Sequence, residues 1–425
     1  MIIRHGNLVL PDKIRNNCDI RIEEGVIQKI GRSASNDGPI IDASDLYVCP
    51  GFVDIHTHGG GGGDFMDAVE EAFESALDFH AGNGTTSILA TSVTALPEQI
   101  IDMLRVTRRY MNKQKPNCRV LGAHIEGPYI SKKNKGAQPE AFLRIPSKDP
   151  YDFILDNSDV VKTVTIAPEL DGAEEMTRDL RKAGIVVCGG HDDGYKEKIM
   201  PIIEAGLSHC THLWCAMSSV AMRNGRRSVG LLETGLVDER LSVELIADDY
   251  HITPEMAKLV YQCKGADKMC VVSDSLRAAG MPEDGHLYSL GLKTDTDSQK
   301  FIVADGVARL PDHSHYAGSI CPLSKMVRHL VFEAGISLVD AVKMASLTPA
   351  RIIHADQLVG SIETGKAADF CLMDKELKVV GTIVGGRRIN IDRPRKDYFE
   401  GGMFHDENDR ESGIKGGRQR MECLF

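Results

Sequence analysis

Between residues 52 and 272, short apolar runs alternate with segments of helical periodicity, and that alternation leaves few folds open. The runs are Phe52–Ile55, Ser87–Thr91, Arg119–Ile125, Lys162–Ile166, Ile185–Cys188, Ser208–Leu213, Ser242–Ile246 and Met269–Val272. Parallel strands covered by helices on their outer face are apolar almost throughout, which is how these runs read. Helical stretches at Ala68–Ala81, Pro97–Met111, Ala173–Ala183 and Pro254–Lys264 lie between them. In the first of these, Ala72, Phe73, Ala76, Leu77 and Phe79–His80 recur with a helical period and leave acidic residues outside. Gly82, Gly184 and Gly265 mark helix ends. Eight strands alternating with helices predict an α/β chain folded as a (β/α)8, TIM-like barrel. A doubly wound open sheet competes, but no G-x-G-x-x-G follows the first strand.

The polar residues that interrupt this pattern strengthen the barrel reading. His56 and His58 follow the first strand, Glu126 the third, His191 the fifth, His212 the sixth, His251 the seventh and Asp274 the eighth. In a barrel those strand ends meet at one mouth, where active sites sit. His56 and His58 are two residues apart, so in an extended chain they project to the same side. Glu126 is followed by Gly127–Pro128, a turn that fixes the carboxylate's direction. His209 lies an odd number of positions from His212 and is expected to point elsewhere, in a structural role.

Imidazoles together with one carboxylate suit a divalent cation such as Zn or Fe. Glu126 has two oxygens and could serve two ions, with His56 and His58 on one and His191 and His212 on the other. A bound divalent ion makes water nucleophilic near neutral pH. Asp274 could take that water's proton and pass it to a leaving group, a division of labour suited to hydrolysis of amides, cyclic amides or amidines.

Composition narrows the partners. The formal net charge of −11 argues against nucleic-acid or anionic-membrane surfaces. Eleven cysteines without C-x-x-C spacing imply free thiols in a reducing, cytoplasmic setting. The N-terminus lacks a signal peptide's apolar segment, and no apolar run reaches the ~20 residues of a membrane helix. Residues 1–50 read as short strands with turns at Gly6–Asn7, Pro11–Asp12, Glu24–Gly25 and residues 36–38, and similar texture returns in 357–394. The two ends are expected to combine into a small β-sandwich domain beside a barrel spanning 51–356, with a charged, Gly-rich tail at 395–425. Leu287–Leu310 reads as an inserted hairpin turning at Asp305–Gly306.

The ordered motifs carry a family resemblance. Pro50-Gly-Phe-Val-Asp-Ile-His-Thr-His58, His124-Ile-Glu-Gly-Pro-Tyr129, Gly136-Ala-Gln-Pro139, Gly189-Gly-His191, Thr211-His-Leu-Trp-Cys-Ala-Met217, Ile246-Ala-Asp-Asp-Tyr-His251, Val272-Ser-Asp-Ser275 and Ala317-Gly-Ser319 occur in this order. The series resembles that of the N-acetylglucosamine-6-phosphate deacetylases, within the amidohydrolase superfamily. The resemblance implies Glu126, His191 and His212 as principal metal ligands, Asp274 as catalytic acid/base, Gln138 near the substrate's acetyl group and His251 at the sugar phosphate. It also implies a homodimer in which an arginine crosses to the neighbouring site. Retention of both His56 and His58 makes a two-ion site plausible.

Three departures bear on the substrate. Where the family usually carries Asn to hold the sugar phosphate, with the following backbone, this chain has Cys215 and then Ala216. The usual R-E-P-G is absent from Met222–Gly230; counting from either side selects Arg223 or Arg227 as the phosphate contact. Asp249, in place of the usual Gly, adds negative charge near an anionic ligand. Deacetylation of N-acetylgalactosamine 6-phosphate or an unphosphorylated N-acyl compound is the nearest alternative. A cyclic-amide hydrolase or deaminase follows, then a non-enzymatic metal-retaining scaffold.

Overall fold

The computed structural model describes residues 1–31, 38–293 and 298–389. The turn expected at residues 36–38 therefore lies partly outside the described residues, and the tail at 395–425 wholly so.

Eight parallel strands form the central sheet: Phe52–Thr57, Thr85–Thr91, Arg119–Glu126, Val161–Ile166, Val186–Gly189, Leu207–Cys210, Ser242–Leu245 and Met269–Val271, paired in that order. All eight expected runs are strands, with ends moved by a few residues. The strands are almost entirely buried, as a barrel interior covered by helices requires. The seam between the eighth and first strands is closed just past their ends. There the Asp274 N–H donates to the His56 carbonyl at 2.9 Å and the His58 N–H to the Ser275 carbonyl at 2.9 Å.

The helices expected from periodicity are found at Glu70–Gly82, Pro97–Met111, Ala173–Lys182 and Pro254–Lys264. Ala72, Phe73, Ala76, Leu77, Phe79 and His80 are the buried face of the first. Two barrel helices went unread, Lys196–Ala205 and Leu231–Val237. The first holds Pro201 in its interior and the second is short and contains Gly235. After the eighth strand the inserted segment is a four-stranded antiparallel sheet rather than a single hairpin, running Tyr288–Ser289, Lys300–Ala304, Val307–Arg309 and Tyr316–Gly318. Its turn at Asp305–Gly306 has both residues at positive φ, 53° and 74°, as an Asp-Gly turn allows.

The chain ends share one sheet. The N-terminal strands, from Ile2–Val9 to Tyr47–Pro50, meet the C-terminal ones where Tyr47–Pro50 pairs antiparallel with Phe370–Met373. Ile3, Leu8, Ile20, Val48, Phe370 and Ile383 form its separate core. Gly6–Asn7, expected as a break, lies inside the first strand, which passes through it with irregular register. A Cβ on Gly6 would come within 2.5 Å of Val48 Cγ2, so glycine serves close packing there instead of a turn.

Candidate metal centre and cavity

His56, His58, Glu126, His191, His212 and Asp274, spread over more than half the sequence, meet at the C-terminal mouth of the barrel. Glu126 is the hub. Its Oε1 lies 3.0 Å from His212 Nε2, 3.2 Å from His191 Nε2 and 3.4 Å from His56 Nε2. Its Oε2 lies 3.4 Å from His58 Nε2 and accepts from Gln138 Nε2 at 2.7 Å. Asp274 Oδ1 is 3.2 Å from His58 Nε2 and 3.6 Å from His56 Nε2. All six residues are buried.

The electrostatics call for added positive charge. Burial works against ionising Glu126, but His56 and the hydrogen bonds from His191 and His212 outweigh it and hold the carboxyl well below its ordinary range. Burial also opposes charge on His58, yet hydrogen bonding to Asp274 and Glu126 lifts it to about 9. Buried carboxylates that pull protons onto imidazoles form a site a cation can occupy in the protons' place.

The donor set fits a metal on geometry as well. The ligand atoms of His56, His58 and Glu126 all lie within 4.8 Å of one another, and so do those of Glu126, His191 and His212. His56 Nε2 is buried without a hydrogen-bond partner and faces the two carboxylates. His191 Nδ1 contacts the Asn134 carbonyl at 3.0 Å, which leaves Nε2 for Glu126 or an ion. Several site residues hold a left-handed backbone: His191 at φ 49°, Trp214 at 70°, Ala216 at 47° and Asp274 at 45°. Such conformations are costly away from glycine and cluster where a site dictates geometry. In the run of glycines from Gly59 to Gly63 that follows His58, Gly60 and Gly63 pack on the first helix, where a Cβ would strike Phe79 and the Ala72 carbonyl.

Above the carboxylates lies a cavity of about 550 Å³ lined by His58, Glu126, Gln138, His191, His212, Cys215, Ala216, His251 and Asp274, among others. A buried histidine–carboxylate cluster at a barrel mouth, under a cavity of small-molecule size, is the amidohydrolase arrangement expected from the motifs, and the amidohydrolase family profile matches residues 47–389.

The chain belongs to the amidohydrolase family.

Within the amidohydrolases it falls in the N-acetylglucosamine-6-phosphate deacetylase family. It is 30% identical over 393 residues to the N-acetylglucosamine-6-phosphate deacetylase of Bacillus subtilis, covering 91% of this chain and 96% of that one. Over 379 residues it is 29% identical to the N-acetylgalactosamine-6-phosphate deacetylase of Escherichia coli O157:H7, covering 89% and 96%. The crystal structure of N-acetylglucosamine-6-phosphate deacetylase from Pasteurella multocida superposes with a TM-score of 0.84 at 28% identity, covering 92% of this chain and 99% of that one.

The remaining candidates of this amidohydrolase separate into two groups. Gln138 spans the rim, accepting from the Thr94 N–H at 2.7 Å while donating to Glu126. His251 is fixed by Asp248, whose Oδ2 lies 2.9 Å from its Nδ1. Burial opposes charge on that imidazole, but Asp248 outweighs it and raises the pKa of His251. Arg223 and Arg227, by contrast, sit on an exposed hairpin, Ala221–Arg223 against Arg226–Ser228, with the Arg223 guanidinium 4.1 Å from the centre of the Tyr195 ring. The cations lining the cavity include Lys132, Lys133 and Lys135, which the sequence reading passed over. Asp249 takes a left-handed φ of 70° and faces a separate small pocket with Ala247, Ile252 and His329. It does not line the cavity above Glu126.

Reading along the sequence also missed Glu244. It is buried in the seventh strand, with Oε2 3.0 Å from His56 Nδ1 and Oε1 3.1 Å from His209 Nε2. A carboxylate inside an otherwise apolar run was the available signal.

Proposed function

We propose that this amidohydrolase hydrolyses the acetamide of N-acetylglucosamine 6-phosphate, giving glucosamine 6-phosphate and acetate. The observation that carries the reading is the convergence of four imidazoles on Glu126, with Asp274 beside them, beneath a cavity of small-molecule size. His56 and His58 with Glu126, and His191 and His212 with Glu126, would hold one or two divalent ions, Zn or Fe. Such an ion, when bound, would polarise the acetamide carbonyl and lower the pKa of water to about 7.

Asp274 accepts a proton from the attacking water as the new C–O bond forms. It then returns that proton to the nitrogen, so the C–N bond breaks to a neutral amine and acetic acid, which ionises to acetate by releasing its remaining hydroxyl proton to solvent. Gln138, anchored at both ends of its amide, orients the acetyl group. His251, oriented by Asp248, faces the phosphate, and Cys215 and Ala216 form the adjoining wall. Arg223 or Arg227 supplies a further guanidinium, its exposed hairpin being suited to reach a second subunit's site in a homodimer. The barrel of residues 51–356 carries the chemistry, flanked by a small β domain from 1–50 and 357–394. No helix among the described residues is long and apolar enough to cross a membrane, and a cytoplasmic setting suits the free thiols.

The likeness to the N-acetylgalactosamine-6-phosphate deacetylase of Escherichia coli O157:H7 supports a second reading, the same hydrolysis on the galactosamine epimer. Product analysis separates them. Acetate release is compared for N-acetylglucosamine 6-phosphate, N-acetylgalactosamine 6-phosphate and unphosphorylated N-acetylglucosamine. The first is expected to turn over fastest. A higher kcat/KM on the second shifts the reading to the epimer, and ammonia instead of acetate replaces deacetylation with deamination.

A further inference from the structure

Glu244 lies in the seventh barrel strand, Ser242–Leu245, below the candidate metal ligands. Its side chain joins three strands. Oε2 lies 3.0 Å from His56 Nδ1 on the first strand and accepts from the His212 backbone N–H, just past the sixth, at 3.2 Å. Oε1 lies 3.1 Å from His209 Nε2 on the sixth strand, and His209 Nδ1 lies 2.7 Å from Ser242 Oγ.

The proton positions follow from the chemistry of the acceptor. An ionised carboxylate only accepts, so His56 Nδ1 and His209 Nε2 must both carry hydrogen. His209 Nδ1 then accepts from the Ser242 hydroxyl. His56 is left with its Nε2 as the outward atom, and that atom is buried, without a hydrogen-bond partner, and turned toward Glu126 and Asp274. A hydrogen bond from the far nitrogen of a ligating imidazole to a carboxylate fixes the ring and raises its basicity.

We propose that Glu244 is the positioning residue that holds His56 in its ligating tautomer and sets how tightly the His56/His58 half of the centre retains its ion. This rests on the metal-dependent reading above. Through the His212 N–H the same carboxylate steadies the other half, but only by backbone, so the two halves depend on it unequally. His209, expected from its spacing to be structural, completes the network by occupying the second oxygen.

The test is zinc binding, read by competition with a chelator on the stripped full-length chain. Glu244→Gln keeps size and shape but can accept from only one of its two imidazole partners. It is expected to weaken the zinc ion held by His56 and His58 by roughly 10- to 100-fold, leaving the ion at Glu126, His191 and His212 near wild-type affinity. His209→Gln, which leaves the Glu244 contact to His56 in place, is expected to change zinc affinity less than about threefold. Wild-type zinc affinity in Glu244→Gln overturns the inference, and so does an equal loss in His209→Gln, which would mark a general packing effect. Should Glu244→Gln fail to fold, Glu244→Asp, which keeps the charge and withdraws it by one methylene, is measured in the same way. The titration does not depend on turnover. A protein that binds zinc as expected but releases no acetate would sink the proposed reaction and leave this inference standing.

Discussion

The backbone N–H of Asp274 donates to the carbonyl of His56 at 2.9 Å, so the hydrogen bond that closes the barrel also sets the proposed proton carrier against a candidate metal ligand. Asp274 Oδ1 then lies within 3.6 Å of Nε2 of both His56 and His58. Fold closure and site assembly are one event here. Substitutions at this seam therefore need to preserve the backbone in order to report on chemistry.

Asp274→Asn does so. Asn tolerates the left-handed φ of 45° that Asp274 adopts, whereas most side chains resist it. The variant is expected to fold and to bind metal, yet to lose about 10²- to 10⁴-fold in kcat because an amide cannot take up and return the proton. Metal content by elemental analysis and acetate release check the two halves of this expectation separately.

Arg223→Ala and Arg227→Ala are expected to raise KM for the phosphorylated sugar unequally while kcat changes little. Losing a charged hydrogen-bond partner costs about 1.5–3 kcal/mol, or roughly a tenfold to hundredfold change. Neither substitution should affect an unphosphorylated substrate. Steady-state kinetics on both sugars identifies the contact; no rise in either variant removes the arginines from phosphate recognition.

Asp249→Gly should stabilise the protein. Asp249 sits at φ 70° and lines a separate small pocket, so glycine relieves backbone strain without changing the lining of the cavity above Glu126. Relief of the left-handed conformation is opposed by the added entropy of the unfolded chain, which leaves a gain of about 0.5 kcal/mol. Urea unfolding measures it, and KM should not move.

Glu169 predicts a pH dependence. Burial pushes its pKa up to about 7, with Asp192 adding to the effect. One oxygen accepts from the Asp193 N–H at 2.7 Å, while Oε2 is buried without a partner. The folded state thus holds a proton that the unfolded chain releases near pH 4.5. This contribution to stability is fully present below about pH 4.5 and is lost as pH rises through about 7. Glu169→Gln keeps the acceptor and removes the ionisation. It is expected to be more stable than the wild type at pH 8, by no more than roughly 3 kcal/mol, with the difference shrinking toward pH 5. Thermal unfolding across that range checks it.

The barrel was legible because its strands are buried on both faces. Val186–Gly189 and Met269–Val271 carry apolar side chains at most positions, and a polar residue at the end of such a run stands out, as Glu126 and Asp274 do. Helix Pro97–Met111 was legible to the residue because Pro97 marks its first turn. Helix Lys196–Ala205 was hidden by Pro201, an interior residue that ordinarily breaks the pattern. Glu244 was hidden for a different reason. Its partners His56 and His209 are 188 and 35 residues away in sequence, and a single acid in Ser242–Leu245 carries no spacing that points to either. Arg223 and Arg227 fall on an exposed hairpin, a placement that motif counting alone does not reveal. Local sequence registers which residues end a strand, and it says little about which loops arch over the mouth.

The most direct test of the metal-centred account is an anomalous-scattering map of crystals grown with zinc and soaked with N-acetylglucosamine 6-phosphate. It should show a peak at about 2.0–2.2 Å from a Glu126 oxygen, a His191 nitrogen and a His212 nitrogen, with the acetamide of the sugar facing Asp274. Zinc bound elsewhere, with Glu126, His191 and His212 still in contact with one another and no ion between them, would contradict it.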